Sequence, residues 1–365
     1  MRSVGVEEEL LLVDASTGEP RALSAAVLAF ASQDSSDADV FELELHGSQL
    51  EFATHPQTDM GELSREIMRW RAEAADHAAN AGAAVAALAT SPLTVGPSIN
   101  PGERFDWLKE QFGLTAQEQI TCGCHVHVAV ESDDEGVAVL DRIRPWLSVL
   151  LAMSTNSPFW QSNDTRYSSY RSRVWGRWPS AGPVEVFGSA ERYHAQVDAM
   201  VGTGALRDTG MIYFDARLSA AWPTVEIRVA DVCLDASTTV LVATLVRALV
   251  ETAARDWRAG KPVVDPGVGL LRLAAWRAGR SGLDDELINP ETMKPDRAES
   301  VVGALLAHVR EALDDSGDLI SVQNGVAHLF KTGNGARVQR ELFERTGSLR
   351  EMVAECARRT SAGPA

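Results

Sequence analysis

Val4-Gly5-Val6-Glu7-Glu8-Glu9-Leu10 sets acids inside an otherwise apolar run, and its reading decides the fold. Side chains on a strand face alternate sides, so Glu7 and Glu9 share one face. Three further stretches read the same way: Phe41 to Thr54, Thr121 to Val130 and Thr224 to Asp231. His125 and His127 share a face, as do Thr224, Glu226 and Arg228, with Val225, Ile227 and Val229 packed behind. A carboxylate within an apolar strand costs several kcal/mol, roughly, unless a cation or donor pairs with it. Four such strands predict one acidic sheet face built to hold cations.

The rest of the chain is organised around that face. Val4 to Val13 ends in the turn Asp14-Ala15-Ser16-Thr17-Gly18-Glu19-Pro20. Phe41–Thr54 reads as two strands broken at His46-Gly47-Ser48. Asp59 precedes Glu62 at capping-box spacing, and an Ala-rich helix is predicted to run to about Ala89. Ser91–Pro101 reads as loop. Gly136–Thr155 reads as a helix kinked at Pro145. Asn163–Tyr193 is long, irregular and rich in Ser, Arg, Trp and Tyr, which points to function. Met211–Phe214 and Thr224–Asp231 read as strands, Ser237–Arg258 as a helix, and helical periodicity returns from about Gly267 to Arg358. Strands crowd the first two thirds and helices the last. The expectation is an α+β fold, with residues 1–365 in one domain.

Composition excludes some partners. The 365 residues are 45% hydrophobic and 23% charged, with net charge −17. Neither nucleic acid nor an anionic membrane is expected as a partner. Most of the acidity serves solubility, but that does not explain acids inside strands. The longest apolar stretch, around Val240 to Val250, contains Thr244 and Arg247 and reads as a buried helix. Met1 runs straight into a strand-like segment, so no signal peptide and a cytoplasmic location are expected. Four cysteines make no disulfide framework.

The candidate metal ligands are Glu7, Glu9, Glu44, Glu51, His125 and Glu226. Two carboxylates about 4 Å apart repel by roughly 4 kcal/mol at an effective dielectric near 20, so such a set needs divalent cations or protons. Oxygen ligands favour Mg²⁺ or Mn²⁺ over Zn²⁺, and carboxylate-bound Mg²⁺ typically serves a phosphate substrate. Glu44 and Glu51 are seven apart, so they converge only through a turn or bulge at Gly47. Arg228 shares a face with Glu226; it either opposes the metals across a transferred phosphoryl group or partners Glu226 internally. Arg166, Arg171 and Arg173, interleaved with Tyr167 and Tyr170, suit a carboxylate or phosphate clamp or else a solvated loop. Cys122-Gly123-Cys124-His125-Val126-His127 suggests zinc, but parity sends cysteines and histidines to opposite faces. No G-x-S-x-G, no P-loop and no complete dinucleotide fingerprint occurs.

Gly5 to Leu10, Thr121 to His127, Asn156-Ser157-Pro158-Phe159-Trp160, Tyr170-Arg171-Ser172, Pro179 to Pro183 and Pro223 to Asp231 together resemble the glutamate–cysteine ligase type 2 group of carboxylate–amine ligases. The resemblance runs over nearly the whole chain. It implies a glutamine-synthetase-like fold: a curved, largely antiparallel sheet holding ATP and Mg²⁺, with helices outside. It implies ATP-dependent joining of a carboxylate to an amine, formally the γ-carboxylate of L-glutamate to L-cysteine through an acyl phosphate. By that resemblance Glu7 and Glu9 fall on the first acidic strand, and Glu44 and Glu51 on the second pair. His125 falls on the strand histidine, and Glu226 with Arg228 on the late Glu-x-Arg, Arg228 meeting the nucleotide and the transferring phosphoryl group. His127 is grouped with the substrate-binding arginines, its role open. Glu226→Gln is expected to abolish ATP turnover with little loss of stability. A metal-dependent amide hydrolase on the same face, a ligase with another amino-acid and amine pair, and a non-catalytic nucleotide-binding protein are the rival readings. A homodimer is what the resemblance suggests.

Overall fold

The computed structural model describes residues 1–34 and 40–361. Eleven strands occur among them: β1 Val4–Val13, β2 Phe41–Leu43, β3 Gln49–Ala53, β4 Ala84–Ala86, β5 Gly123–Ala129, β6 Phe159–Trp160, β7 Asn163–Asp164, β8 Ala216–Leu218, β9 Thr224–Asp231, β10 Glu286–Asn289 and β11 Lys294–Arg297. Seven form one sheet in the order β2-β3-β1-β5-β9-β8, with β4 also paired to β1. Its ladders are antiparallel throughout. Strand and helix are mixed as expected of an α+β fold.

β1 lies at the centre because it is apolar on both sides beyond Glu9: Leu10 to Val13 are all buried. One face of the sheet is covered by the helices Met60–Asn80 and Ala236–Arg258. The first is capped by Asp59, whose side chain accepts from Glu62 N, so the predicted start holds. The second is long and apolar enough to cross a membrane by composition, but 67% of its most apolar window is buried inside the protein. It is a core helix. A contiguous cluster of buried apolar side chains runs from Val4 to Cys356, tying the C-terminal helices to the sheet.

The sequence reading errs in three places. The Ala-rich helix stops at Asn80, because Gly82 takes φ +76° and Ala84–Ala86 pair with β1 as a strand. Small side chains let that edge lie close under the C-terminal helix. Met211–Phe214 is not a strand; a 3₁₀ turn covers Thr209–Met211 and the strand is Ala216–Leu218. The hairpin β10–β11 interrupts the C-terminal helices. Pro145 does act as expected: a 3₁₀ turn over Arg144–Trp146 divides the helices Asp133–Ile143 and Leu147–Ser154.

Candidate active site

Register brings the acids together. Glu9 lies opposite Glu51 on β3, and Glu7 opposite His125 on β5. His127 lies opposite Glu226, which lies opposite Arg217 on β8. Paired residues share a face, so one side of the sheet carries a band of charge from β2 to β8. Glu44 joins it from the turn between β2 and β3. There Gly47 packs against Ala22 and Asn100, leaving no room for a side chain without displacing them. The turn demanded by the seven-residue spacing is present.

Three overlapping groups emerge, each with ligand atoms within 4.8 Å of one another: Glu7, His127 and Glu226; Glu7, Glu51 and His125; Glu9, Glu44 and Glu51. Glu7 belongs to two, and so does Glu51. His125 Nδ1 lies 3.0 Å from Glu7 Oε2, and its Nε2 lies 3.9 Å from Glu9 Oε1. His127 Nε2 is 3.1 Å from Glu7 Oε1 but outside hydrogen-bond geometry, while its Nδ1 bonds Thr224 Oγ1 at 2.9 Å. His125 Nε2 is likewise buried without a hydrogen bond. Buried ring nitrogens left unpaired beside carboxylates are what a ligand set looks like without its cation.

The protonation states agree with that. Burial, reinforced by the charge of Glu44, pushes the Glu9 carboxyl up to about 7. Burial and the hydrogen bond with Glu44 push Glu51 well above the ordinary range. Burial alone would also raise Glu7, but the hydrogen bond with His125 and the close approach of the His127 imidazole hold it well below that range. Burial and then Arg228 lower His125 to about 4, so its imidazole is neutral and able to bind a cation. Glu226 shows the opposite balance: against burial, Arg228 and Arg217 bring it down to about 2. The donor set, oxygen-rich with two neutral-capable imidazoles, fits Mg²⁺ or Mn²⁺.

Arginines ring the band. Arg228 donates to Glu226 Oε1, the internal pairing foreseen as one of two readings, and lies 3.5 Å from His125 Nδ1. Trp175 and Tyr213 stack against its guanidinium, 5.6 and 6.0 Å from ring centre to Cζ. Arg171 is buried, with Nε and Nη2 unpaired. Its guanidinium passes so close to Gly123 that a Cβ there would collide with Nη2. Glycine at that position therefore serves close approach; its own N–H donates to Glu9 Oε2 at 2.6 Å. A cavity of about 320 Å³ opens onto Glu9, Glu44, Glu51, His125 and Arg228. A second, of about 270 Å³, adjoins it across Trp175 and Arg228 and takes in Arg171 and Arg173.

A profile described as "Glutamate-cysteine ligase family 2 (GCS2)" matches residues 3–356. This chain belongs to that family. A Streptomyces avermitilis protein with the provisional name glutamate–cysteine ligase 2-1 is 68% identical, the match covering 99% of each chain. A Paenarthrobacter aurescens protein with the same provisional name is 46% identical over 97% of this chain and 94% of its own. Among solved structures, Francisella tularensis glutamate–cysteine ligase in complex with AMP is only 12% identical but superposes with TM-score 0.73, covering 99% of this chain and 88% of that one. The complex of the prokaryotic ubiquitin-like protein Pup with its ligase reaches TM-score 0.52 at 13% identity, covering 96% and 66%. At such identities the likeness establishes the glutamate–cysteine ligase fold.

Within this family member the predicted set divides. Glu7, Glu9, Glu44, Glu51, His125 and Glu226 converge. His127 sits among the acids and not with Arg171 and Arg173, because its parity on β5 matches His125. Arg166 does not join the site: it lies with Asp164, Arg280 and Arg340 in a separate surface pocket, in a left-handed turn at φ +61°. The cysteines are buried and form no disulfide, and Cys124 pairs with Glu8, on the face opposite the histidines. Burial, the largest influence, raises the Cys122 and Cys124 thiols. Two residues were missed. Arg217 grips Glu226 through Nε at 2.6 Å and Nη2 at 3.2 Å, while Nη1 holds the carbonyls of Gly210 and Ile212. Asp231 accepts from Asn156 N, Ser157 Oγ and Ser169 Oγ at 2.7–2.8 Å and faces Arg171 Nη1 at 3.9 Å. It reaches the acidic face because a bulge opposite β5, between the Ala230 and Ile227 pairings, shifts parity.

Proposed function

We propose that the protein is an ATP-dependent carboxylate–amine ligase, formally joining the γ-carboxylate of L-glutamate to L-cysteine and releasing ADP and phosphate. The observation that carries this is the row of three cation-sized groups sharing Glu7 and Glu51, flanked by Arg228 and Arg171. Glu7, Glu9, Glu44, Glu51, His125, His127 and Glu226 would hold Mg²⁺ or Mn²⁺. Bound there, the cations neutralise the phosphate charge of ATP.

The chain's own residues supply the rest. Arg228, held between Glu226 and the rings of Trp175 and Tyr213, stabilises the phosphoryl group during transfer. The substrate carboxylate attacks the γ-phosphorus, giving an acyl phosphate and ADP; the amine then displaces phosphate. No protein nucleophile is needed, so catalysis rests on positioning and charge. Arg171 and Arg173 face the adjoining cavity, where a carboxylate substrate would sit. Trp175 stands where the two cavities meet and Trp178 lines the first, so both rings would limit water around the acyl phosphate.

The working partners are small molecules, in keeping with a net charge of −17. A core continuous from the sheet to the C-terminal helices supports reading the chain as one domain. The test is phosphate release by the purified protein. Release that requires ATP, a divalent cation, an amino-acid carboxylate and an amine together supports the ligase. Amide cleavage without ATP overturns it.

A further inference from the structure

The second cavity has unspent charge. Its wall carries the half-buried Arg173 and Asp215 and the exposed Arg272, and among the described residues none of these has an ion-pair partner within 4.0 Å. Arg173 bonds only Ser172 Oγ, at 3.3 Å. Arg171, whose Nη1 faces Asp231 at 3.9 Å, and Arg228, which pairs with Glu226, complete the charged lining. Asp215 is half-buried in this wall and its carboxylate takes no hydrogen bond from any described residue, so no contact within the fold accounts for it. Burial pushes its carboxyl up to about 6, with Arg173, Arg272 and Arg171 opposing. Its main chain, by contrast, is pinned on both sides. Asp215 N donates to Gly182 O, and Asp215 O accepts from Arg228 N, both at 3.0 Å.

Two guanidiniums and one carboxylate without ion-pair partners complement the α-carboxylate and α-ammonium of an amino acid, and Arg228 on the same wall leaves a cation for a second carboxylate. Resting on the ligase reading above, we infer that Asp215 is a specificity-determining residue that receives the α-ammonium of the carboxylate substrate, while Arg173 and Arg272 receive its α-carboxylate. The side-chain carboxylate then extends past Trp175 toward Arg228. The backbone bond between Asp215 and Arg228 fixes the spacing between the ammonium reader and the phosphoryl-facing arginine. The cavity thereby selects amino acids over acids of equal length that lack the amine. A polar reader that the bound ligand closes off from water discriminates in this way, because the analogue leaves it unpaired.

The experiment is calorimetric binding of L-glutamate and glutarate, with and without Mg²⁺ and a non-hydrolysable ATP analogue. The wild-type protein should favour glutamate by at least about tenfold. Asp215→Asn should weaken glutamate and bring the two affinities together, Asp215→Glu should restore part of the preference, and Arg173→Met should weaken both ligands. Equal wild-type affinities, no binding of either acid, or a preference unchanged in Asp215→Asn would overturn the assignment. Because binding is read without turnover, the two ideas fail separately. A missing ATP-dependent phosphate release removes the ligase reading, and an unmoved preference removes Asp215.

Discussion

The two faces of β1 handle the same residue type in opposite ways. On the covered face, Glu8 is fully buried yet satisfied. Arg71 meets it with two parallel bonds, Nε at 2.7 Å and Nη2 at 2.8 Å, and Thr239 Oγ1 adds a third at 2.6 Å. Arg71 spends its remaining donors on the carbonyls of Leu234 and Cys233. On the open face, one residue to either side, Glu7 and Glu9 share histidines and repel further carboxylates. A closed network stores stability; an open one stores affinity for something absent from the chain.

That contrast is most easily broken from the covered side. Glu8→Ala leaves the Arg71 guanidinium buried without its carboxylate, and unfolding free energy should drop by about 3–5 kcal/mol in a denaturant titration. A loss below about 1 kcal/mol would mean the closed network is not structural in the way described. Glu7→Gln should instead leave the fold nearly untouched and cut ATP turnover by at least about a hundredfold, since Glu7 belongs to two of the three groups. Turnover within a factor of a few of wild type would remove it from the site.

Glu226 falls between the two cases. Sequence alone suggests that Glu226→Gln costs little stability. The structure places both Arg228 and Arg217 on this carboxylate, so a loss of about 1–3 kcal/mol should accompany the loss of turnover. An unchanged melting curve would favour the sequence reading. Glu9→Gln should act with the opposite sign, stabilising the cation-free protein by about 1 kcal/mol, because the neutral amide replaces a carboxyl that burial already disfavours as an anion. The same variant should lose part of the stabilisation given by Mg²⁺.

The smallest effect is in pH. Glu9 has its carboxyl raised from about 4.5 to about 7, so between those values the folded protein holds more protons at this group than the unfolded chain. Its contribution to stability is present at the acid end and is lost as pH rises through about 7. Glu226, with a lowered carboxyl, contributes in the other direction and at lower pH. Denaturation across that window in the presence of a chelator should show the decline; Mg²⁺ should flatten or invert it. A flat profile with chelator would mean that Glu9 is ionised in the cation-free fold.

Much of the band was legible because alternation within a strand is a local property. Glu7 with Glu9, and His125 with His127, need only a period of two and an apolar background. The same rule failed where pairing is irregular. Asp231 lies on the acidic face only through the bulge in β9, which leaves no mark in Thr224–Asp231 itself. Arg217 could not be chosen over other arginines, because its role depends on β8 lying beside β9. Arg166 and Arg171 are five apart in one loop and looked equivalent, yet a left-handed turn sends one to the surface and Gly123 admits the other to the site. The overrun of the Ala-rich helix has a similar origin: propensity favoured helix, and pairing with β1 favoured strand.

By itself the sequence determined which strands carry acids and on which side, because side-chain direction follows from covalent geometry and apolar burial. Only the tertiary structure decided which of those acids are satisfied and which remain open, because a partner such as Arg71, Arg217 or Arg171 arrives from far along the chain and its arrival is set by packing.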